Sequence, residues 1–147
     1  MTLLRRLDHV AVLVRDTDEA LRFYSGRLGL EVASSEEIPG LHVRLTYLDT
    51  GNAYLQLVQP LADSPLTAWL EEHGEGLHHI CFGVDDVAGA VGELSDPGAE
   101  ISLGEGRGRV SSFVSADGSH GVRIECTEFV RSRDVDETPG FLDARPA

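Results

Sequence analysis

Two histidines, His9 and His79, stand 70 residues apart in stretches that read alike, Leu7-Asp8-His9-Val10-Ala11-Val12-Leu13-Val14 and Leu77-His78-His79-Ile80-Cys81-Phe82-Gly83-Val84. A second echo, at an offset of 69, lays Tyr54-Leu55-Gln56-Leu57-Val58 over Arg123-Ile124-Glu125-Cys126-Thr127 and pairs Gln56 with Glu125. Each half of the chain therefore plants one imidazole and one amide or carboxylate in an apolar strand. A lone core histidine more often satisfies itself on a backbone carbonyl than on a metal. Repetition favours the metal, because equivalent strand positions face the same way and converge when two like sheets curve toward a common axis. Two nitrogen and two oxygen donors suit a borderline divalent ion such as Zn, Co, Ni, Mn or Fe(II), with room left for water or substrate.

The elements that must hold these residues repeat as well. Residues 7–14 alternate as a strand, Asp16 is an N-cap for a helix over 17–28 with Leu21, Phe23, Tyr24 and Leu28 on its apolar face, and Gly29 stops it. Strands follow over 30–33, 41–48 and 53–58, the last two joined by the turn Asp49-Thr50-Gly51-Asn52. Ser64-Pro65 opens a short joining helix that Trp69 and Leu70 would pack. The second half repeats the order, with a strand over 79–84, a helix from Asp86 to about Ser95, and strands over 99–103, 109–115 and 121–128. The fold expected is α+β, two βαβββ modules forming a cupped sheet around a metal site. Residues 1–60 are the first module, 61–76 the linker helix, 77–130 the second module and 131–147 an aperiodic C-terminal extension.

Composition bounds the function. The 147 residues, 41% hydrophobic and 25% charged, are ordinary for a globular chain. A net charge of −13, from 25 acidic and 12 basic residues, argues against nucleic acid or an anionic membrane surface as partner. Two cysteines and no apolar N-terminal run fit a reducing cytoplasm. No phosphate-binding loop, nucleophile elbow or Cys-x-x-Cys pair appears, so nucleotide hydrolysis, serine hydrolysis and a zinc ribbon lack support.

Several stretches together resemble the vicinal oxygen chelate superfamily of glyoxalases and dioxygenases, over about residues 5–129. They are Leu7-Asp8-His9-Val10-Ala11-Val12, Phe23-Tyr24 with Leu28-Gly29-Leu30-Glu31-Val32, and Leu55-Gln56-Leu57-Val58-Gln59-Pro60-Leu61. The block from Asp63-Ser64-Pro65-Leu66 through Trp69-Leu70 to Gly74-Glu75-Gly76-Leu77-His78-His79-Ile80 is most similar to the methylmalonyl-CoA epimerase family. That resemblance implies a metal site of His9, Gln56, His79 and Glu125, an acyl-CoA or related substrate, enolate chemistry, and Glu125 as both ligand and proton carrier. A homodimer is the assembly expected.

The chain departs from the epimerase pattern in two places. Leu45 stands where some members carry a catalytic Glu, and Phe113-Val114-Ser115-Ala116 replaces Phe-Leu-His-Pro. The glycine-rich loop Gly104-Glu105-Gly106-Arg107-Gly108-Arg109 is kept in outline, and Arg107 and Arg109 are its candidates for a CoA phosphate, against the plainer reading of solvated loop arginines. Glu36 and Glu37 read as a solvated loop pair. His78, adjacent to a ligand on an alternating strand, is expected to point to the opposite face, while Cys81 shares the face of His79. Another enzyme on the same scaffold, a glyoxalase-like isomerase or lyase or an Fe(II) dioxygenase, and a metal-free binding protein are the alternatives.

Overall fold

The computed structural model describes residues 3–115 and 117–130, with the side chains of Glu105 and Asp117 left aside. The extension expected over 131–147 lies outside the described residues. Eight strands form one sheet: β1 (Leu4–Leu13), β2 (Glu31–Ile38), β3 (Val43–Asp49), β4 (Tyr54–Pro60), β5 (Gly76–Val84), β6 (Leu103–Gly106), β7 (Arg109–Phe113) and β8 (Ile124–Glu128). Their spatial order is β2-β3-β4-β1-β5-β8-β7-β6. From the central antiparallel β1–β5 pair outward, each half runs through a parallel neighbour, β4 or β8, and then an antiparallel pair. The two repeats thus join edge to edge into a single curled sheet, and side chains from both halves line one concave face.

Alternation decides which face each residue serves. Ala11, Leu13, Val43, Leu45, Tyr47 and Val58 pack on the inner face, where helix α2 (Pro65–His73) adds Leu70, Leu66 and Trp69. On the outer face of the first half, Val12, Val14, Leu48 and Leu57 meet the first helix. On that of the second half, Val84 and Cys126 meet Val87, Ala90 and Val91 of helix α3 (Val87–Leu94). The three α-helices of the described residues start on side-chain caps: Asp16 accepts from the Glu19 N–H, Ser64 from Thr67 and Asp86 from Gly89. Each cap is worth about 1 kcal/mol.

Three expectations need correction. Helix α1 (Thr17–Leu21) widens over Arg22–Arg27 into π geometry, with Leu28 N–H reaching back five residues to the Phe23 carbonyl at 2.8 Å. The wider turn shifts the phase of the apolar stripe, so Leu21 and Tyr24 pack while Phe23 and Leu28 are exposed. Beyond α3, residues 99–102 form no strand, and the last three strands are shorter than their apolar runs. Glu36 and Glu37 lie in β2, not in a loop.

Two irregularities shape the site. In the β1–β5 ladder Leu7 faces Phe82 and His9 faces Cys81, which leaves Asp8 as an extra residue on β1. Further along, Ala11 faces His79 and Val12 faces Leu77, which leaves His78 extra on β5. Both are β-bulges, and an offset of 70 places them at equivalent positions of the repeat. A bulge breaks the in–out alternation, so Asp8 and His78 turn inward beside the histidines they precede.

Candidate metal centre

The bulged β1 and β5 deliver His9 and His79 to the floor of the concave face, and β8 delivers Glu125. His9 Nε2 lies 3.3 Å from His79 Nε2 and 3.3 Å from Glu125 Oε1, and His79 Nε2 lies 3.1 Å from the same oxygen. Three donors that close are spaced as ligands about 2.0–2.2 Å from one shared ion would be. Gln56 arrives from β4, 4% exposed. Its Nε2 donates to the Tyr47 hydroxyl at 2.8 Å, while its Oε1 has no hydrogen-bond partner among the described residues. A buried amide oxygen left bare costs about 1–3 kcal/mol. A cation ligated by that oxygen removes the cost, so the N2O2 donor set fits a divalent ion on the evidence of the side chains themselves.

Each histidine is braced through its other nitrogen. Asp8 Oδ2 accepts from His9 Nδ1 at 2.6 Å, and His79 Nδ1 lies 2.8 Å from His78 Nδ1. Burial, reinforced by the neighbouring His79 and by the charge of Arg123, pulls the His78 pKa down to about 4. Neutral at pH 7, His78 accepts the His79 Nδ1–H, and both histidines keep Nε2 for the centre. The expectation that His78 faces away is therefore corrected: the bulge brings its ring into the cavity wall, in contact with Trp69, His79 and Phe113.

Electrostatics keep the site charged. Burial alone would raise the Glu125 carboxyl, but hydrogen bonds from His79 and His9 outweigh it and hold its pKa well below the usual range. Burial disfavours the His9 cation, yet hydrogen bonds to Asp8 and Glu125 raise its pKa above the ordinary value. Asp8 is pulled down against burial by the His9 hydrogen bond and the charge of Arg107. Cys81 does share the inner face, within reach of Asp8 and His9. Burial and the two nearby carboxylates push its pKa far up, so it stays a thiol and not a thiolate ligand. Cys126 faces the opposite core, as alternation requires.

Arg107 and Arg109 sit elsewhere than at a solvent-facing phosphate. Arg107 stands at the tip of the β6–β7 hairpin with a φ of 56°, its guanidinium 4.2 Å from the Tyr47 ring centre and its Nη2 2.6 Å from Asp8 Oδ2. Arg109 Nη1 approaches the other Asp8 oxygen at 3.8 Å. A buried carboxylate attracts both cations inward, and the hairpin tip follows them over the concave face. There the Arg107 N–H donates to Glu36 Oε1 at 2.5 Å, and a Cβ on Gly106 would lie 3.2 Å from Leu45 Cδ1. Sequence reasoning missed Asp8 as a brace. The only signal for it was that the residue before each repeated histidine is polar in both halves.

Above the centre opens a cavity of about 510 Å³. Leu45 lies in its apolar wall, 8% exposed, while Tyr47, His78, Glu100 and Arg123 are the titratable lining groups outside the donor set and Arg107. Burial pushes the Tyr47 hydroxyl up, so it remains protonated.

A curled sheet built from two repeats, with imidazoles and a carboxylate converging on its concave face, defines a protein class. The chain belongs to the glyoxalase/bleomycin resistance protein/dioxygenase superfamily, whose profile matches residues 8–125. Within it, the chain is 34% identical over 109 residues to an ethylmalonyl-CoA/methylmalonyl-CoA epimerase of Cereibacter sphaeroides, covering 73% of this chain and 81% of that one. It is 32% identical over 130 residues to an uncharacterised Bacillus subtilis protein, covering 85% and 93%. The fold superposes with a TM-score of 0.75 on a Streptomyces coelicolor methylmalonyl-CoA epimerase variant in complex with 2-nitronate-propionyl-CoA, at 32% identity and with 85% and 97% of the two chains covered.

Proposed function

We propose that the protein is a metal-dependent epimerase of a 2-substituted malonyl-CoA, with methylmalonyl-CoA as the reference substrate. The observation that carries this reading is the meeting of His9, His79 and Glu125 donors within 3.3 Å in a cavity of about 510 Å³ that Gln56, its oxygen bare, also lines. The likeness to acyl-CoA epimerases supplies the substrate class.

His9, Gln56, His79 and Glu125 would hold the ion. Once bound, a divalent ion supplies Lewis acidity toward a thioester oxygen and so stabilises negative charge developing there. Glu125 accepts the C2 proton and returns it. Its depressed pKa keeps it ionised but makes it a weak base, so acidification of the carbon must do most of the work. The apolar wall of Leu45, Val43 and Val58 keeps water from the reacting carbon. Tyr47 fixes the Gln56 amide through its hydroxyl.

Inversion needs a proton from the opposite face. Leu45 cannot carry one, and this favours a second reading, a one-faced isomerase or lyase on the same scaffold. Incubating the metal-loaded protein with methylmalonyl-CoA in deuterated water separates them. Deuterium at C2 supports the enolate reading even where net inversion is slow, and no exchange with any 2-substituted malonyl thioester overturns it.

A further inference from the structure

We infer that Arg123 docks an anionic oxygen group of the thioester substrate, either the acyl carboxylate or a phosphate of its carrier, at the mouth of the cavity. This rests on the substrate class proposed above. Arg123 immediately precedes β8 and lies two residues from Glu125, hence on the same face of an extended chain and about 6.6 Å along it. Its guanidinium carbon sits 4.6 Å from the Trp69 ring centre and 5.9 Å from that of Phe113. Phe113 also packs edge-on against His79, with ring centres 5.0 Å apart. The cation is therefore one aromatic ring away from the proposed ligand, borders the cavity, and remains exposed.

Among the described residues no carboxylate lies within ion-pair distance of Arg123. That distinguishes it from Arg107 and Arg109, which the sequence nominates for the same task and which the buried Asp8 holds. A chain of net charge −13 repels an anionic substrate at long range. A cation at the entrance offsets the repulsion. The cation–π contact with Trp69 holds the guanidinium beside the cavity, where a carboxylate or phosphate can accept from its N–H groups in a bidentate manner.

The test uses the metal-loaded full chain and calorimetric titration of three probes: CoA, which has the phosphates alone; methylmalonyl-pantetheine, which has the carboxylate alone; and propionyl-pantetheine, which has neither. Loss of one charge-assisted pair predicts that Arg123→Leu weakens one of the first two by roughly 10- to 100-fold and leaves the third unchanged. The CoA arm identifies a phosphate and the methylmalonyl-pantetheine arm a carboxylate. Arg123→Lys, which keeps charge without the planar fork, should recover part of the loss. Because Trp69 is the single tryptophan of the chain, its fluorescence gives an independent titration signal beside the arginine. Unchanged affinity for both anionic probes, an equal loss for all three, or a wild-type protein that binds none of them overturns the inference. Absence of C2 exchange alone would defeat the epimerase reading and leave this binding readout standing.

Discussion

Replacing Glu125 by Gln separates its two proposed jobs. The amide keeps an oxygen donor at the same reach, and Gln56 in the other half already brings an unpartnered amide oxygen to the lining of the same cavity. What changes is charge and proton affinity. Glu125 Oε1 lies 3.1 and 3.3 Å from the two Nε2 atoms, and the attraction of the histidines keeps it ionised. An amide oxygen in the same place ligates but accepts no proton near neutral pH. A general base contributes about 10²–10⁴-fold, or roughly 3–5 kcal/mol of barrier at 1.4 kcal/mol per tenfold. The assay is the initial rate of C2 deuterium uptake from methylmalonyl-CoA, measured on Glu125→Gln protein whose metal content is determined by plasma emission. Retained metal with a rate loss of about 10²-fold or more identifies the proton carrier. Retained metal with a loss below about tenfold would refute the assignment and leave Glu125 a ligand only.

The same geometry makes further predictions. His79→Ala should abolish metal uptake and exchange together while the circular dichroism spectrum stays native, because the packed inner and outer faces hold the sheet; global unfolding on chelation would contradict this. Asp8→Asn removes the charge that braces His9 and neutralises Arg107, and should weaken metal affinity by about 10- to 100-fold in a competition titration. Metal binding must displace the proton that Asp8 and Glu125 hold on His9, so affinity should fall by about tenfold per pH unit below the His9 pKa. In chelated protein the raised His9 pKa gives stability that is full below the ordinary value of 6.5 and lost as pH rises through the raised one, whereas the depressed Asp8 and Glu125 lose theirs only toward strong acid. Thermal midpoints of the chelated form should thus decline on the alkaline side, a decline that metal loading removes. Finally, with Leu45 in the wall, the two C2 epimers should exchange their proton at unequal rates; equal rates would mean that another lining group, such as His78 or Glu100, serves the second face.

Much of this site was legible because duplication leaves a trace that one chain can be read against. The offsets of 70 and 69 picked out His9 with His79 and Gln56 with Glu125, and the structure brings the two histidines and Glu125 within 3.3 Å. Helix starts were legible because Asp16, Ser64 and Asp86 are caps whose chemistry is local. What stayed hidden depends on register and distance. A bulge has no residue signature, and a one-residue slip reverses every inside–outside assignment near it, which is why His78 reads as outward-facing from its position alone. Arg107 reaches Asp8 across 99 positions, a partnership that only closure of the hairpin over the sheet creates. The π turn of the first helix was hidden for a related reason. Its apolar spacing fits the ordinary period, and only packing shows that Phe23 and Leu28 are left outside.

The two halves share a backbone plan but divide the charges unequally, and that division has a chemical consequence. In the first half the carboxylate, Asp8, stands behind the histidine and is matched by Arg107, while the counterpart of Glu125 in the cavity lining is the neutral Gln56 amide. In the second half the brace is the neutral His78 and the carboxylate, Glu125, faces the centre. Exchanging amide for carboxylate between equivalent positions leaves Glu125 as the anion at the centre with no arginine against it among the described residues. On the proposed reading a dipositive ion there retains about one unit of positive charge after Glu125, which an anionic thioester substrate can complete. A second carboxylate in place of Gln56 would cancel that charge and weaken the pull on the thioester oxygen. On that reading both repeats hold the ion, and the second alone adds proton chemistry through Glu125.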